Sequence, residues 1–357
     1  MTTEANAGFR AHGGPDQLGV PLFDFSTNSN ACGPSPHALA AVNQADPTQY
    51  PDASYSTLRQ QLADFHRVAL PRVVLAASAS EFIFRITALA ALRGARSVSL
   101  PPRGYGDYAQ AAHAHRLPCS ASLSLSASSA SSTSSAALQL RWSCDPSSPL
   151  GAAHLDWALA ADGWSVVDRA YEPLRLDAAL ALSASQLESV WQLWTPNKAL
   201  GLTGVRAAYA IAPQGADEDV RAMEARCPSW AIGAHGVAML QAWTSPQVQG
   251  WLTASLAHLR LWKAQQAALC ESFGWTVLAS NANFFVCDWQ VEMQSIANRK
   301  ARGWNSASAL IALRGHGLKL RDCTSFGLPG HVRLSVQPPA AQDALSQAWL
   351  QIAGGAT

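Results

Sequence analysis

The sequence predicts an α/β protein with a largely parallel sheet and helices on both of its faces, followed by a smaller α+β unit. Two observations carry the first part. Short apolar runs of strand type alternate with segments of helical spacing through most of the chain. Those runs are near-continuously apolar rather than alternating, as strands buried on both faces are. The second unit follows from length, because 357 residues with 48% hydrophobic content exceed what one core normally spans.

Residues 1–36 are rich in turn formers, with His12-Gly13-Gly14-Pro15 and a short strand Leu22-Phe23-Asp24-Phe25. Residues 55–68 read as a helix because Leu58, Leu62 and Phe65 fall on one face. Val73-Val74-Leu75 is a short strand, and Ser78-Ala79-Ser80-Glu81 opens a helix that runs to Leu92. Ser97-Val98-Ser99-Leu100 is a strand closed by Pro101-Pro102. Residues 120–135 are serine- and alanine-rich and read as a variable surface loop with one poor strand. A strand over 138–142, the turn Asp145-Pro146-Ser147-Ser148-Pro149-Leu150-Gly151 and a helix over 155–161 follow. Strands are expected over 164–167, 189–194 and 205–211. Helices dominate 217–273, with a long one from about Pro246. Phe284-Phe285-Val286-Cys287 and residues 331–336 are strands of the smaller unit, and no internal repeat is visible.

Composition narrows the function. The net charge is +1 and the basic residues are scattered, which argues against nucleic acid or an anionic membrane surface as partner. No apolar run is long enough to span a bilayer. The N-terminal Met1-Thr2-Thr3-Glu4-Ala5-Asn6 lacks the marks of a signal peptide. Seven cysteines, odd in number and never in a CxxC pair, read as reduced thiols rather than disulfides or a metal site. The expected location is the cytoplasm. The thirteen tryptophans read mainly as core.

The most informative string is Trp194-Thr195-Pro196-Asn197-Lys198-Ala199-Leu200-Gly201-Leu202-Thr203-Gly204-Val205-Arg206. A lysine after a buried strand, a glycine-containing turn and an arginine follow one another. Upstream, Val166-Val167-Asp168-Arg169-Ala170-Tyr171 is an apolar strand ending in an acid and a tyrosine. An acid, a lysine and an arginine in that order suit pyridoxal phosphate. The lysine forms the Schiff base, the acid keeps the pyridine nitrogen protonated, and the arginine grips the phosphate.

The chain resembles fold-type I pyridoxal-phosphate enzymes of the class I/II aminotransferase family. Within it, the branch of histidinol-phosphate aminotransferases and threonine-phosphate decarboxylases is the most similar. Matching strings are His12-Gly13-Gly14, Asp24-Phe25-Ser26-Thr27-Asn28-Ser29-Asn30, Gly33-Pro34, Tyr50-Pro51-Asp52 and Arg321-Asp322-Cys323-Thr324-Ser325-Phe326-Gly327-Leu328-Pro329. The match runs from about His12 to Val336. The resemblance implies a large α/β domain around a seven-stranded type of sheet and a small α+β domain. It places an N-terminal arm at 1–35, joined to the small domain, with the large domain at 36–244 and the small one at 245–357.

It also implies roles. Tyr171 would donate to the cofactor's phenolic oxygen, where Ser148 stands in for the family's asparagine. Ala79, Ser80, Thr195 and Arg206 would hold the phosphate, and Tyr105 would stack on the ring. Tyr50 would reach the phosphate from a second subunit, so a homodimer is implied. Arg333 would clamp a carboxylate, Arg321, His12 and Gly13 a second anionic group, and Asn30 the amino-acid moiety. Ala76-Ala77-Ser78 replaces the usual Gly-Asn-Gly, and Asn197 replaces the hydroxyl usually next to the lysine. The terminal strings favour decarboxylation of threonine phosphate for cobalamin synthesis. Transamination of histidinol phosphate or a related amino acid is the alternative, and an inactive scaffold a third reading.

Overall fold

The computed structural model describes residues 12–121, 138–152, 163–299 and 304–354. The helix expected over 155–161 and most of the serine-rich loop lie outside them. The chain divides into two compact units, one of residues 29–260 with 281–283, the other of 1–28, 261–280 and 284–357.

The larger unit is built on a seven-stranded sheet. Its order is Val73–Ala76, Ala208–Ile211, Trp191–Trp194, Gly163–Asp168, Gln139–Cys144, Ser97–Leu100 and Cys119–Ala121. Ala208–Ile211 runs antiparallel to both neighbours, and every other pairing is parallel. Val73–Ala76, Trp191–Trp194 and Ala208–Ile211 are buried at every residue, which is why no polar–apolar alternation shows in their sequences. The helix Ala79–Leu92 contributes Phe82, Ile83, Ile86 and Leu89 to one core with Val74, Val98, Leu140, Val166 and Leu193 of the sheet. Ser78 caps it, its hydroxyl accepting from the Glu81 N–H at 3.1 Å.

A buried polar group lies near the strand ends. The Tyr209 hydroxyl accepts from the Trp243 indole N–H at 3.0 Å and meets His66 Nε2 at 2.8 Å. An indole nitrogen can only donate, so Tyr209 accepts there, while its bond to His66 runs in the direction the imidazole tautomer sets. Burial, and secondarily the Arg169 guanidinium, pull the His66 pKa down to about 4.

The smaller unit holds a four-stranded antiparallel sheet in the order Arg321–Asp322, His331–Ser335, Phe284–Asp288, Thr276–Val277. The arm joins it twice. Phe23–Asp24 pairs in parallel with Leu318–Lys319, and the Ser335 N–H donates to Phe25 O at 2.8 Å. Trp275, Trp289 and Trp349 pack edge-to-face and stacked in its core, with centroids 4.7–5.9 Å apart. These units divide the chain at 28/29 and 260/261. The arm leaves this unit after Asn28, because from Ser29 onward it is tied to the lysine turn. The second boundary falls inside the unbroken helix Pro246–Ser272, where sequence offers no punctuation.

Acid should expose the His66 environment. Its folded pKa lies below the ordinary 6.5, so the unfolded chain binds a proton the folded one does not. Stability conferred by neutral His66 is whole above pH 6.5 and falls as pH drops toward about 4. The loss is on the order of 3 kcal/mol at most. His66→Gln removes the titration. Comparing urea midpoints of variant and parent at pH 4.5 and 7.5 should give a shallower pH dependence for the variant. Equal slopes would mean His66 does not carry it.

Candidate active site

The C-terminal ends of adjacent parallel strands deliver the chemistry of the larger unit, as open α/β sheets do. Asp168 ends Gly163–Asp168, in register with Cys144 and Leu193 on either side. It is buried, with Oδ1 accepting from the Ala170 N–H at 2.9 Å and Oδ2 from the Tyr108 hydroxyl at 2.7 Å. Burial raises its pKa, while Tyr108, the Ala170 N–H and the charge of Lys198 oppose the rise. Tyr108 is itself buried and stacked on Trp142, centroids 4.5 Å apart and planes 13° from parallel.

Lys198 is half-buried, its amine 5.5 Å from the centre of the Tyr171 ring. Its turn is braced from several sides. The Asn30 N–H donates to Lys198 O at 2.9 Å, and Asn30 Nδ2 donates to Ala199 O and Ser255 Oγ at 3.0 and 2.8 Å. Asn30 Oδ1 accepts from the Cys32 N–H at 3.0 Å. The Asn197 amide reaches Thr203 O and Val205 O at 3.3 and 3.4 Å. Gly201 has φ +70°, and a Cβ there would stand 2.5 Å from Gly33 O, so only glycine fits.

Asn30 donates both its amide protons inside the fold and so braces the lysine turn. The Thr195 hydroxyl donates to Asn197 Oδ1 at 2.8 Å and steadies the same turn. Ser80 and Tyr105 come together, hydroxyls 3.3 Å apart, and Tyr105 packs edge-on to Tyr108 at 5.8 Å. The first-turn N–H groups of a helix have no intrahelical acceptor, and Ser78 takes that of Glu81. Ala79 and Ser80 lie in that first turn, where a helix N-terminus favours an anion. Arg206 is exposed on the turn before Ala208–Ile211. Ser148 is half-buried, on the turn after Gln139–Cys144. Tyr50 is exposed, stacked on Trp230.

In the smaller unit, Arg321 and Arg333 are register partners on adjacent strands, and both are buried. Arg321 donates to Asp322 O and Ser325 Oγ at 2.8 Å each, and Arg333 donates to Ser26 O at 2.8 Å. Both guanidinium groups lie over the Phe326 ring, at 5.0 and 6.0 Å. Burial, and then the like charge of Arg333, lower the Arg321 pKa. Gly13 lies against the same carbonyl: a Cβ would stand 2.2 Å from Ser26 O. His12 is exposed beside it in the chain.

Pyridoxal phosphate fits the set in the larger unit. A buried carboxylate held by neutral donors is stabilised by a cationic partner, and a protonated pyridine nitrogen is one. Lys198 would supply the amine for its aldehyde, and the Ala79–Ser80 turn would suit its phosphate. Tyr108 was missed in the sequence, where Tyr105 drew the assignment; the signal was a second tyrosine three residues on, one helical turn away. Among the described residues, no group of three His, Cys, Asp or Glu is placed to hold a metal. No described helix is long and apolar enough to cross a membrane.

A family model described as aminotransferase class I and II matches residues 20–348. A histidinol-phosphate aminotransferase of Halorubrum lacusprofundi is 29% identical over 330 residues, covering 88% of this chain and 84% of that protein. Among solved structures, the Sinorhizobium meliloti histidinol-phosphate aminotransferase in complex with pyridoxal-5'-phosphate aligns with TM-score 0.70 at 19% identity, covering 92% of this chain and 89% of that one. The L-threonine-O-3-phosphate decarboxylase from Porphyromonas gingivalis aligns with TM-score 0.68 at 18% identity, covering 91% and 97%.

Removing the Tyr108 hydroxyl leaves the Asp168 carboxylate with one donor fewer. Tyr108→Phe should destabilise the cofactor-free protein at neutral pH by about 1.5–3 kcal/mol, the usual worth of a hydrogen bond to a charged group. Urea denaturation measures it, and an unchanged midpoint would show that the hydroxyl does not serve the carboxylate.

Proposed function

The chain belongs to the aminotransferase class I and II family, and on that premise we propose that it transfers the amino group of a phosphorylated amino substrate of the histidinol-phosphate kind. It is a pyridoxal-phosphate-dependent enzyme of fold type I. The observation that carries the substrate class is the buried Arg321–Arg333 pair, two fixed cations side by side where an anion is stabilising. The histidinol-phosphate relatives shift the weight from decarboxylation to transfer.

Each residue then has a task. Asp168 holds the ring nitrogen protonated, and Tyr108 holds Asp168. Lys198 binds the cofactor and moves the proton at the substrate carbon. Tyr171 donates to the phenolic oxygen beside Ser148. Ala79, Ser80 and Arg206 hold the phosphate, and Tyr105 covers the ring. The cofactor, when bound, supplies an electron sink for the bond that breaks. Arg321 takes the substrate phosphate, with His12 and Gly13 on the arm. Arg333 takes the carboxylate of the partner amino acid. The working form is a cytoplasmic homodimer in which Tyr50 reaches the phosphate held by a second copy.

Decarboxylation of threonine phosphate to an aminopropanol phosphate, as in cobalamin synthesis, is the second reading. Its support is the seat of Gly13 on Ser26 O, the carbonyl Arg333 also holds. That puts the His12-Gly13-Gly14 string, which favours the decarboxylase, beside an anion-binding arginine.

Incubation with 2-oxoglutarate and histidinol phosphate should yield glutamate; carbon dioxide from threonine phosphate without a keto acid would reverse the choice. Lys198→Ala should abolish either reaction. Arg321→Ala should weaken phosphorylated substrates by roughly ten- to a hundredfold, the worth of one charge-assisted contact. Glutamate turnover should remain. Equal affinity of variant and parent for phosphorylated substrate would refute the assignment of Arg321.

A further inference from the structure

Tyr50 is 78% exposed and Trp230 43%, yet the two rings are stacked, centroids 4.6 Å apart and planes 30° from parallel. The Trp230 indole N–H donates to Pro51 O at 3.1 Å, next to Tyr50 in the chain. Trp230 holds φ +50°, a left-handed conformation that is costly for a bulky residue. A second tie stands close by. The Tyr55 hydroxyl donates to Ile232 O at 2.9 Å and accepts from the Ile232 N–H at 3.0 Å. Between them, Asp52 accepts from the N–H groups of Ser54 and Ser56 at 3.0 and 2.7 Å, which stiffens the turn.

Farther along, the same segment approaches Arg206. A Cβ at Gly236 would stand 2.9 Å from Arg206 O, so glycine permits the contact. Two aromatic rings have thus been ordered at the surface at a conformational cost, with little core burial to offset it. An exposed, preset aromatic pair of this kind suits contact with another molecule.

We propose that Trp230 is a positioning residue that presents Tyr50 to the cofactor phosphate of a second copy of this chain. The proposal rests on the reading of Tyr50 given above. Trp230 fixes the Tyr50 ring by stacking and the adjoining backbone by its N–H. The hydroxyl is then preset for the partner's phosphate rather than ordered on arrival.

Cofactor affinity, read by absorbance titration of cofactor-free protein, tests it. Trp230→Ala should weaken binding about tenfold, within the range for one hydrogen bond to a charged group. Trp230→Phe, which keeps the stack and loses the N–H, should fall between. Tyr50→Phe should weaken binding similarly, and the double variant no further than the larger single loss, because both remove one interaction.

Hybrid dimers of a Lys198→Ala subunit and a Trp230→Ala subunit give the decisive reading. Only the latter can give the lysine-linked absorption band, and its phosphate would be met by the intact Tyr50 of its partner. Affinity at that band should return to the parent value; affinity that stays weak would overturn the proposal. Loss with Tyr50→Phe but none with Trp230→Ala would overturn the role of Trp230 alone. No loss with either would overturn the reading of Tyr50 itself. Light scattering that finds Trp230→Ala monomeric would make Trp230 an interface anchor and overturn the positioning role.

Discussion

A carboxylate buried at the end of a parallel strand is the constraint on which the larger unit turns. Asp168 is 5% exposed, and a charge so placed is costly unless its neighbours compensate. The fold answers with the Ala170 N–H on one oxygen and the Tyr108 hydroxyl on the other. Tyr108 can serve only because its helix Gly106–Ala114 follows Ser97–Leu100 and because Trp142 stacks on its ring. Strand order and helix placement thus converge on one acid, as its proposed pairing with a cationic ring nitrogen needs.

The lysine turn shows the same economy of placement. Asn30, Asn197, Thr195 and Gly201 surround Lys198, and the first three spend side-chain hydrogen bonds on bracing the turn. The covalent role proposed for Lys198 needs a movable amine on a backbone that stays put. Here the main chain is tied at Lys198 O and Ala199 O, while the side chain keeps only its approach to the Tyr171 ring among the described contacts. The residues next to the lysine are thus part of its scaffold.

Sequence made the fold class and the acid–lysine order plain, because buried strands leave apolar runs and the charged residues stand at their ends. It was silent on helices whose apolar stripe is built from small residues. Gly106–Ala114 buries Tyr108, Ala111 and Ala112, and two alanines give little periodic signal. Nor did it show that Thr195 and Asn30 spend hydrogen bonds on the lysine turn. Nothing in a string distinguishes a hydroxyl aimed at a ligand from one aimed two residues along its own turn. The unit boundary at residue 260 was unreadable for a related reason, since a helix that passes from one unit to the next carries no break.

The arginine pair completes the logic with the opposite sign. Asp168 is a buried anion in want of a cation, whereas Arg321 and Arg333 are buried cations set beside each other. Their mutual repulsion and their burial both favour losing charge, as the lowered Arg321 pKa reflects. The Phe326 face, the Ser26 and Asp322 carbonyls and Ser325 offset part of that cost with a ring quadrupole and three acceptors. The same argument explains why the arm must lie where it does. Ser26 O holds Arg333, and only a glycine at position 13 lets the chain pass so close to that carbonyl.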